Sequence, residues 1–287
     1  MLDWVYPYPV KMTHLPGQVS VAYIDEGAGP QTLVFLHGLG SYLKGWTKNV
    51  AELSRDFRCI ALDFPGYGKS SKGNLPYSMT FFARIVRDFI RQLNLQNVVL
   101  IGHSMGGQVA ATFAVRYPDE VQKLVLIAPA GFEIFTETDR VWIRSVYSPT
   151  LLKAMPADQI RRNFEINFSR FPDDAGFMVD DRMMMQGTKA YEQYCEMIPR
   201  CVNSMMDEPV FDLLPQIQAP TLVLFGENDM LIPNKLLHPG SNPVSIAEAG
   251  SRQIPGARLE LLRPCGHFAQ WECAGAVNRS IRRFCEG

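Results

Sequence analysis

The chain has 287 residues, 47% of them hydrophobic, and a formal net charge of −1 from 28 basic and 29 acidic residues. This length suits one α/β domain that carries an insertion, and the balanced charge gives no electrostatic reason to expect binding to nucleic acid or to an anionic membrane surface. We therefore expect a small-molecule substrate.

The N-terminus and the hydrophobic profile are those expected of a cytoplasmic protein. Residues 1–9 contain one acidic residue and two prolines, where a signal peptide needs a basic start followed by an apolar run. No stretch of about 18 consecutive apolar residues occurs, so the sequence predicts no membrane span.

Six cysteines are scattered along the chain without a C-x-x-C pair. They are Cys59, Cys195, Cys201, Cys265, Cys273 and Cys285. This spacing argues against a zinc site, so we expect no bound metal and cysteines that are reduced thiols.

Two strands and a glycine-rich loop are predicted in the first forty residues. Val19–Ile24 alternates enough to form a strand, and Thr32–Leu36 is a second, more buried one. The loop His37–Gly40 leaves the second strand directly, and we expect it to expose the backbone N–H of Leu39 as a hydrogen-bond donor. The residue that opens the loop, His37, is interpreted mainly as a side chain that ties the loop down.

Two helices and a third strand come next. Trp46–Leu53 predicts a helix, Phe57–Leu62 a strand, and Met79–Leu93 a helix with one buried apolar stripe. The loop Asp63–Ser70 ends in Gly-Lys-Ser but does not predict a phosphate-binding loop. A Walker motif needs glycine where Asp63 stands.

The best-defined motif is G-x-S-x-G at Gly102–Gly106. A buried, mostly β-branched strand, Val98–Ile101, leads into it, and an Ala-rich stretch compatible with a helix follows. A serine between such a strand and helix must turn sharply, and the two flanking glycines leave room for that turn. We therefore interpret Ser104 as a nucleophile held above the sheet, with the backbone N–H of Met105 as a second donor to an oxyanion.

The pattern changes after the next predicted strand, Val121–Ile127. Residues 132–208 are rich in Met, Phe, Tyr and Arg and contain no strand-like run, so they predict a helical cap. The core is then formed by residues 1–131 and 209–287. Charged residues on such helices are mostly solvated or paired, and the candidates for contact with a substrate are three arginines: Arg161, Arg162 and Arg182.

The strand pattern returns in the last third of the chain. Pro220–Gly226 is a strand, and the loop at its carboxyl end carries two acids, Glu227 and Asp229. Ligands and catalytic groups collect at that edge of open α/β sheets. We favour Asp229 as the catalytic acid and keep Glu227 in reserve. The remaining predicted elements are a short helix near Val244–Arg252, a strand at Arg258–Leu262 and a closing helix to Phe284.

His267 completes the predicted constellation. A serine hydroxyl needs a neutral imidazole to take its proton, and that imidazole needs a carboxylate to hold its tautomer. His267 lies in a glycine-containing loop after the last strand, whereas His14 lies near the N-terminus and His238 beside a proline. The order Ser104, Asp229, His267 predicts attack on a carbonyl, a covalent acyl-enzyme and its release by water.

At these residues the chain resembles the α/β-hydrolase superfamily. The resemblance covers nearly the whole chain outside the cap, and it rests on His37–Gly40, Asp63–Ser70, Gly102–Gly106, Asp229 and Gly266–His267. It implies an α/β-hydrolase fold: a mostly parallel central sheet flanked by helices, with a helical cap inserted after the sixth strand. It also implies hydrolysis without a cofactor. The dehalogenases and epoxide hydrolases of this fold use aspartate where this chain has Ser104.

Within the superfamily two subfamilies stay open. The segment Cys265–Glu272 resembles the corresponding part of meta-cleavage-product C–C hydrolases, and Arg182 resembles their carboxylate-binding arginine. However, His103 stands where that subfamily usually has asparagine, so we place ester hydrolysis first and C–C hydrolysis second. The residues expected to line the substrate pocket are His37, His103, Arg182, Phe268 and Trp271.

Further hypotheses also stay open. One comes from another class of protein: a receptor that binds a small molecule in the pocket of a hydrolase. Serine perhydrolases share the same triad and are a further alternative within the enzymes. A homodimer is compatible with the sequence.

Overall fold

The computed structural model describes residues 4–287. The N-terminal stretch that argues against a signal peptide begins with residues 1–3, which lie outside the described residues. Eight strands of the described chain form one sheet. In chain order they are β1 (Lys11–Leu15), β2 (Val19–Glu26), β3 (Thr32–Leu36), β4 (Arg58–Leu62), β5 (Val98–His103), β6 (Lys123–Ile127), β7 (Thr221–Gly226) and β8 (Arg258–Leu262). Across the sheet the order is β1-β2-β4-β3-β5-β6-β7-β8. The pairs β1–β2 and β2–β4 are antiparallel, and the others are parallel.

The central strands are apolar because helices cover both faces of the sheet. Every residue of β3, β5 and β7 is buried, which is the pattern of a parallel strand with no solvent face. All parallel strands end at the same edge, so the loops after β3, β5, β7 and β8 meet there. The predicted mostly parallel sheet is confirmed.

The helices of the described chain fall into a core set and an inserted set. In chain order they are α1 (Thr47–Leu53), α2 (Met79–Gln92), α3 (Met105–Arg116), α4 (Glu137–Val146), α5 (Pro149–Lys153), α6 (Ala157–Glu165), α7 (Gly176–Met185), α8 (Lys189–Asp207), α9 (Pro243–Gln253), α10 (Ala269–Glu272) and α11 (Ala274–Glu286). Helices α4–α8 lie between β6 and β7, and we call residues 132–208 the helical insertion. Within residues 4–287, no helix combines the length and the apolar character needed to cross a bilayer.

Helix α2 shows how the sequence pattern produces the packing. Ser78 caps its N-terminus by accepting a hydrogen bond from the backbone N–H of Phe81, at 2.9 Å. Its apolar positions fall on one stripe, and side chains such as Phe82 and Phe89 are fully buried in the core. Burial of each such side chain stabilises the fold by about 1.5–3 kcal/mol.

The first strand, β1, was missed, because no element was predicted from the sequence before Val19. It is an edge strand in which Thr13 and Leu15 are buried and the other three residues are exposed. Such a strand has no apolar run to reveal it. It forms by antiparallel pairing with β2 across a tight turn in which Gly17 and Gln18 both have positive φ.

The expectation that all cysteines are reduced thiols is wrong for one pair. Cys265 and Cys273 form a disulfide, with their Cα atoms 6.3 Å apart. The turn of α10 folds the chain back on itself and brings the two residues together, which spacing in the sequence does not show. The other four cysteines are free and buried.

Candidate active site

Ser104 lies in the sharp turn between β5 and α3, with φ 53° and ψ −120°. This backbone conformation is costly for any residue with a side chain, so the surroundings must enforce it. Two close approaches do so: a Cβ at Gly102 would overlap the carbonyl group of Gly106, and a Cβ at Gly106 would overlap that of Leu36. The N–H of Ser104 donates to the carbonyl of Ile127 in the neighbouring strand at 3.0 Å. The elbow therefore holds the serine at the carboxyl edge of the sheet.

The glycine-rich loop after β3 lies directly against this serine. A Cβ built on Gly38 would lie 3.1 Å from the Cβ of Ser104 and 3.0 Å from Nδ1 of His103. Leu39 is the next residue of the loop. Met105 opens α3, and the first N–H groups of a helix have no partner inside the helix. The fold thus brings the segments of both predicted oxyanion donors to the serine.

Asp229 and His267 meet at the same edge of the sheet. Oδ2 of Asp229 lies 2.7 Å from Nδ1 of His267, and the two residues are only 2% and 3% exposed. Oδ1 of Asp229 accepts the backbone N–H groups of Leu231 and Ile232, at 2.8 and 2.9 Å. The carboxylate is held at both oxygens. With Nδ1–H donated to it, a neutral His267 ring presents Nε2 as an acceptor.

Glu227, the reserve candidate for the acid, points elsewhere. Its carboxylate forms an ion pair with Arg263, whose side chain is 77% exposed. Of the two acids in the loop, Asp229 is the one whose carboxylate contacts His267.

His37 is engaged by the backbone at both ring nitrogens. Nε2 accepts the N–H of Phe64 at 3.0 Å, and Nδ1–H donates to the carbonyl of Gly38 at 2.9 Å. Burial lowers the pKa of His37 to about 4, so the ring is neutral near pH 7. This is the loop-tying role expected for it, and neither ring nitrogen is left for a substrate.

His103 contacts the backbone of His267. Its Nε2–H donates to the carbonyl oxygen of His267 at 3.0 Å, and the two rings lie 4.8 Å apart. Burial, and then the nearness of His267, lower the pKa of His103 well below its usual value. The neutral ring does not compete with His267 for a proton. The observed contacts assign His103 to holding that residue.

Phe268 and Trp271 lie at the seam between the core and the helical insertion. Both belong to a small apolar cluster with Phe168, Ala175 and Met178 of the insertion. The indole Nε1–H of Trp271 donates to the carboxylate of Asp174 at 3.0 Å, so its polar atom is already engaged.

Arg182, on α7, reaches the glycine-rich loop. Its Nη2 donates to the carbonyl of Gly40 at 2.6 Å, and its guanidinium lies 3.7 Å from the ring centre of Tyr194. The preceding residue, Asp181, accepts hydrogen bonds from Tyr42 and Lys44 in the chain that follows the loop. Helix α7 therefore packs over the loop beside Ser104.

Sequence reasoning missed two further groups of polar residues around the site. Glu133 is buried at the start of the insertion, where its carboxylate lies 2.5 Å from Nδ1 of His238 and accepts the N–H of Asn234. Burial raises the pKa of Glu133. The second group is the set of contacts made by Glu272, which lies five residues after His267 within the segment Cys265–Glu272 but was given no role from the sequence. For Glu133, the only signal in the sequence was an acid shortly after the strand β6.

The described residues 4–287 contain no group of three or more His, Cys, Asp or Glu side chains arranged to hold a metal ion. What the site does contain is a serine in a strained turn, a buried Asp–His pair and a glycine-rich loop and a helix start next to that serine. These are the components of acyl transfer by an activated hydroxyl.

Comparison with known proteins shows what the chain is similar to. A family model described as the alpha/beta hydrolase fold matches residues 31–173. A 2-hydroxy-6-oxononadienedioate/2-hydroxy-6-oxononatrienedioate hydrolase of Escherichia coli (strain K12) is 30% identical over 278 residues, which cover 93% of this chain and 91% of the relative.

Solved structures agree on the fold. A probable hydrolytic enzyme from Pseudomonas aeruginosa PAO1 is 25% identical with a TM-score of 0.86, covering 98% of this chain and 96% of its own. An esterase from Exiguobacterium antarcticum is 22% identical with a TM-score of 0.81, covering 96% and 99%.

Proposed function

The chain belongs to the α/β hydrolase fold family, and from this premise we propose that it is a serine hydrolase acting on a small, largely apolar carboxylic ester. One observation supports the proposal above all others. The buried Asp229–His267 pair, with its 2.7 Å contact, lies at the same sheet edge as a serine held in a strained turn. Structural serines do not need that conformation, and it is kept where the hydroxyl must project from the sheet.

In the proposed reaction His267 takes a proton from the Ser104 hydroxyl and passes it to the leaving alcohol. Nε2 takes the hydroxyl proton as the Oγ of Ser104 bonds to the carbonyl carbon, and Asp229 stabilises the imidazolium that forms. The backbone N–H groups of Leu39 and Met105 stabilise the negative oxygen. The bond to the alcohol then breaks, and the alcohol leaves with the proton. Water repeats the sequence on the acyl-enzyme and releases the carboxylic acid, so no cofactor is needed.

Covalent labelling tests this proposal. We expect phenylmethanesulfonyl fluoride to add one sulfonyl group per chain, on the peptide that contains Ser104, and to abolish turnover of p-nitrophenyl acetate and butyrate. Intact-mass and peptide mass spectrometry locate the label. Turnover that continues after complete labelling of Ser104 would contradict the proposal. Saturable binding of esters without turnover would instead favour the receptor hypothesis.

Hydrolysis of a C–C bond is a second candidate, and Arg182 is the observation that favours it. Its guanidinium reaches the loop beside Ser104 with one N–H donor on Gly40, which leaves further donors for a substrate carboxylate. The related E. coli hydrolase is named for a dienedioate, a substrate that carries such carboxylates. The ester and C–C hypotheses differ in whether this arginine contributes to binding.

Replacement of Arg182 by glutamine separates the two hypotheses. If the substrate is a dienoate ring-fission product, we expect kcat/KM for it to fall about 10- to 100-fold, because a charge-assisted contact worth roughly 1.5–3 kcal/mol is lost. Turnover of a neutral p-nitrophenyl ester should change by less than about threefold. Arg161→Gln, on an exposed position of the insertion, is the matched control and should alter neither rate. Equal losses with both substrates would show that Arg182 acts through the Gly40 loop.

A further inference from the structure

Two chain segments that are far apart in sequence are joined beside His267. The first is the histidine loop, residues 264–272, and the second is the insertion strap, residues 167–170. The N–H of Phe268 donates to the carbonyl of Asn167 at 2.8 Å. This hydrogen bond ties the residue that follows His267 to the helical insertion.

The carboxylate of Glu272 makes the second connection, and both of its oxygens take part. Oε2 accepts the N–H of Gly266 at 2.7 Å and the N–H of Ser169 at 3.1 Å. Oε1 accepts the N–H of Arg170 at 3.1 Å and also the hydroxyl of Ser169. One side chain therefore gathers donors from the histidine loop and from the insertion strap. Hydrogen bonds to an ionised carboxylate are about twice as strong as neutral ones.

The backbones of the two segments also touch. A Cβ at Gly266 would lie 2.5 Å from the N of Ser169 and 2.7 Å from the Cα of Phe168. The ring of Phe168 stacks on that of Phe268, with centres 5.7 Å apart. The absence of a side chain at position 266 is what allows the insertion strap to approach this closely.

Together with two contacts of His267 itself, these contacts hold the chain on both sides of this residue. Asp229 holds its Nδ1 and His103 holds its carbonyl oxygen. The residue before it, Gly266, is held by Glu272, and the residue after it is held by the insertion strap. A displacement of about 1 Å at a catalytic group is enough to cost on the order of 100-fold in rate.

We propose that Glu272 is a positioning residue: it locks the insertion strap to the histidine loop and thereby sets the place of His267 relative to Ser104. This inference rests on the proposed serine hydrolase function and deepens it. Glu272 touches no reacting atom. Its effect reaches the reaction through the backbone of Gly266.

Glu272→Gln is the test, because the amide keeps the shape but turns one acceptor oxygen into a donor facing backbone N–H groups. We expect kcat for p-nitrophenyl butyrate to fall about 10- to 100-fold with KM changed less than twofold. Hydrogen exchange followed by mass spectrometry should show faster exchange in both joined segments at once. Glu248→Gln removes a half-exposed carboxylate that pairs with Arg252 of its own helix, and this control should change neither readout.

A milder variant, Ser169→Ala, removes one hydroxyl contact and tests the proposal if Glu272→Gln folds poorly. We expect faster exchange of the insertion strap and a fall in kcat of about two- to fivefold at unchanged KM. Wild-type kcat in a folded Glu272→Gln variant, or faster exchange in only one of the two segments of that variant, would overturn the proposal, as would wild-type kcat and exchange in Ser169→Ala. A rise in KM at constant kcat would also overturn it, since Glu272 would then contact the substrate.

Hydrogen exchange is measured without a substrate. Failure of the positioning proposal can therefore be distinguished from failure of the proposed hydrolase function. If the wild-type protein hydrolyses no ester, the proposed function fails by itself. Coupled exchange in the Glu272→Gln variant would still support the lock, and uncoupled exchange would overturn it.

Discussion

Replacement of Ser104 by alanine is expected to lower kcat for p-nitrophenyl esters by on the order of 10⁴- to 10⁶-fold, because the attacking oxygen is lost while binding and the oxyanion donors remain. Stability should change little, since alanine pays the same backbone cost at φ 53° as serine does. Steady-state kinetics and a thermal melt of the same preparation measure both effects. Activity within tenfold of wild type would exclude Ser104 as the nucleophile.

Ser104→Gly serves as the informative companion variant. Glycine adopts positive φ at little cost, so this variant should be as inactive as the alanine variant yet more stable, by about 1 kcal/mol. A variant that is inactive and less stable than wild type would indicate that its loss of activity reflects damage to the elbow.

Replacement of Asp229 by asparagine is expected to lower kcat by on the order of 10⁴-fold. An amide does not stabilise the imidazolium of His267 and allows the wrong tautomer of the ring. The asparagine oxygen can still accept the N–H groups of Leu231 and Ile232, so the loop should stay folded. Single-turnover kinetics of acylation measure the effect directly.

The neighbouring acid provides the matched control for this experiment. Glu227→Gln removes a carboxylate two residues away whose partner, Arg263, is mostly exposed, so kcat should stay within about twofold of wild type. A large loss with Glu227→Gln and a small one with Asp229→Asn would reassign the acid to Glu227.

The elbow could be predicted because its cause is local. The strand β5, the glycines around Ser104 and the start of α3 are consecutive in sequence, and the close approach that requires Gly102 lies within five residues, whereas the one that requires Gly106 is to Leu36 of β3. The alternation of apolar strands and helices likewise predicted the mostly parallel sheet, because burial on both faces leaves a continuous apolar run.

Features that depend on distant partners were predicted less well. Edge strand β1 has only two buried residues, and its pairing with β2 creates it. The Cys265–Cys273 disulfide depends on a turn of α10 that spacing does not reveal. The hydrogen bond from the indole N–H of Trp271 to Asp174 of the insertion, 97 residues away in the chain, was likewise not predicted.

By itself the sequence determined the hydrolase fold and indicated Ser104, Asp229 and His267 as candidate catalytic residues, since each follows a recognisable strand or lies beside glycines. Only the tertiary structure decided which acid faces His267, that both ring nitrogens of His37 and Nε2 of His103 bond to backbone groups, and that Glu272 joins the histidine loop to the insertion strap. The physical reason is one of range. Backbone sterics and strand burial act between near neighbours, whereas hydrogen-bond partners are selected by the packing of segments that the chain separates by tens of residues.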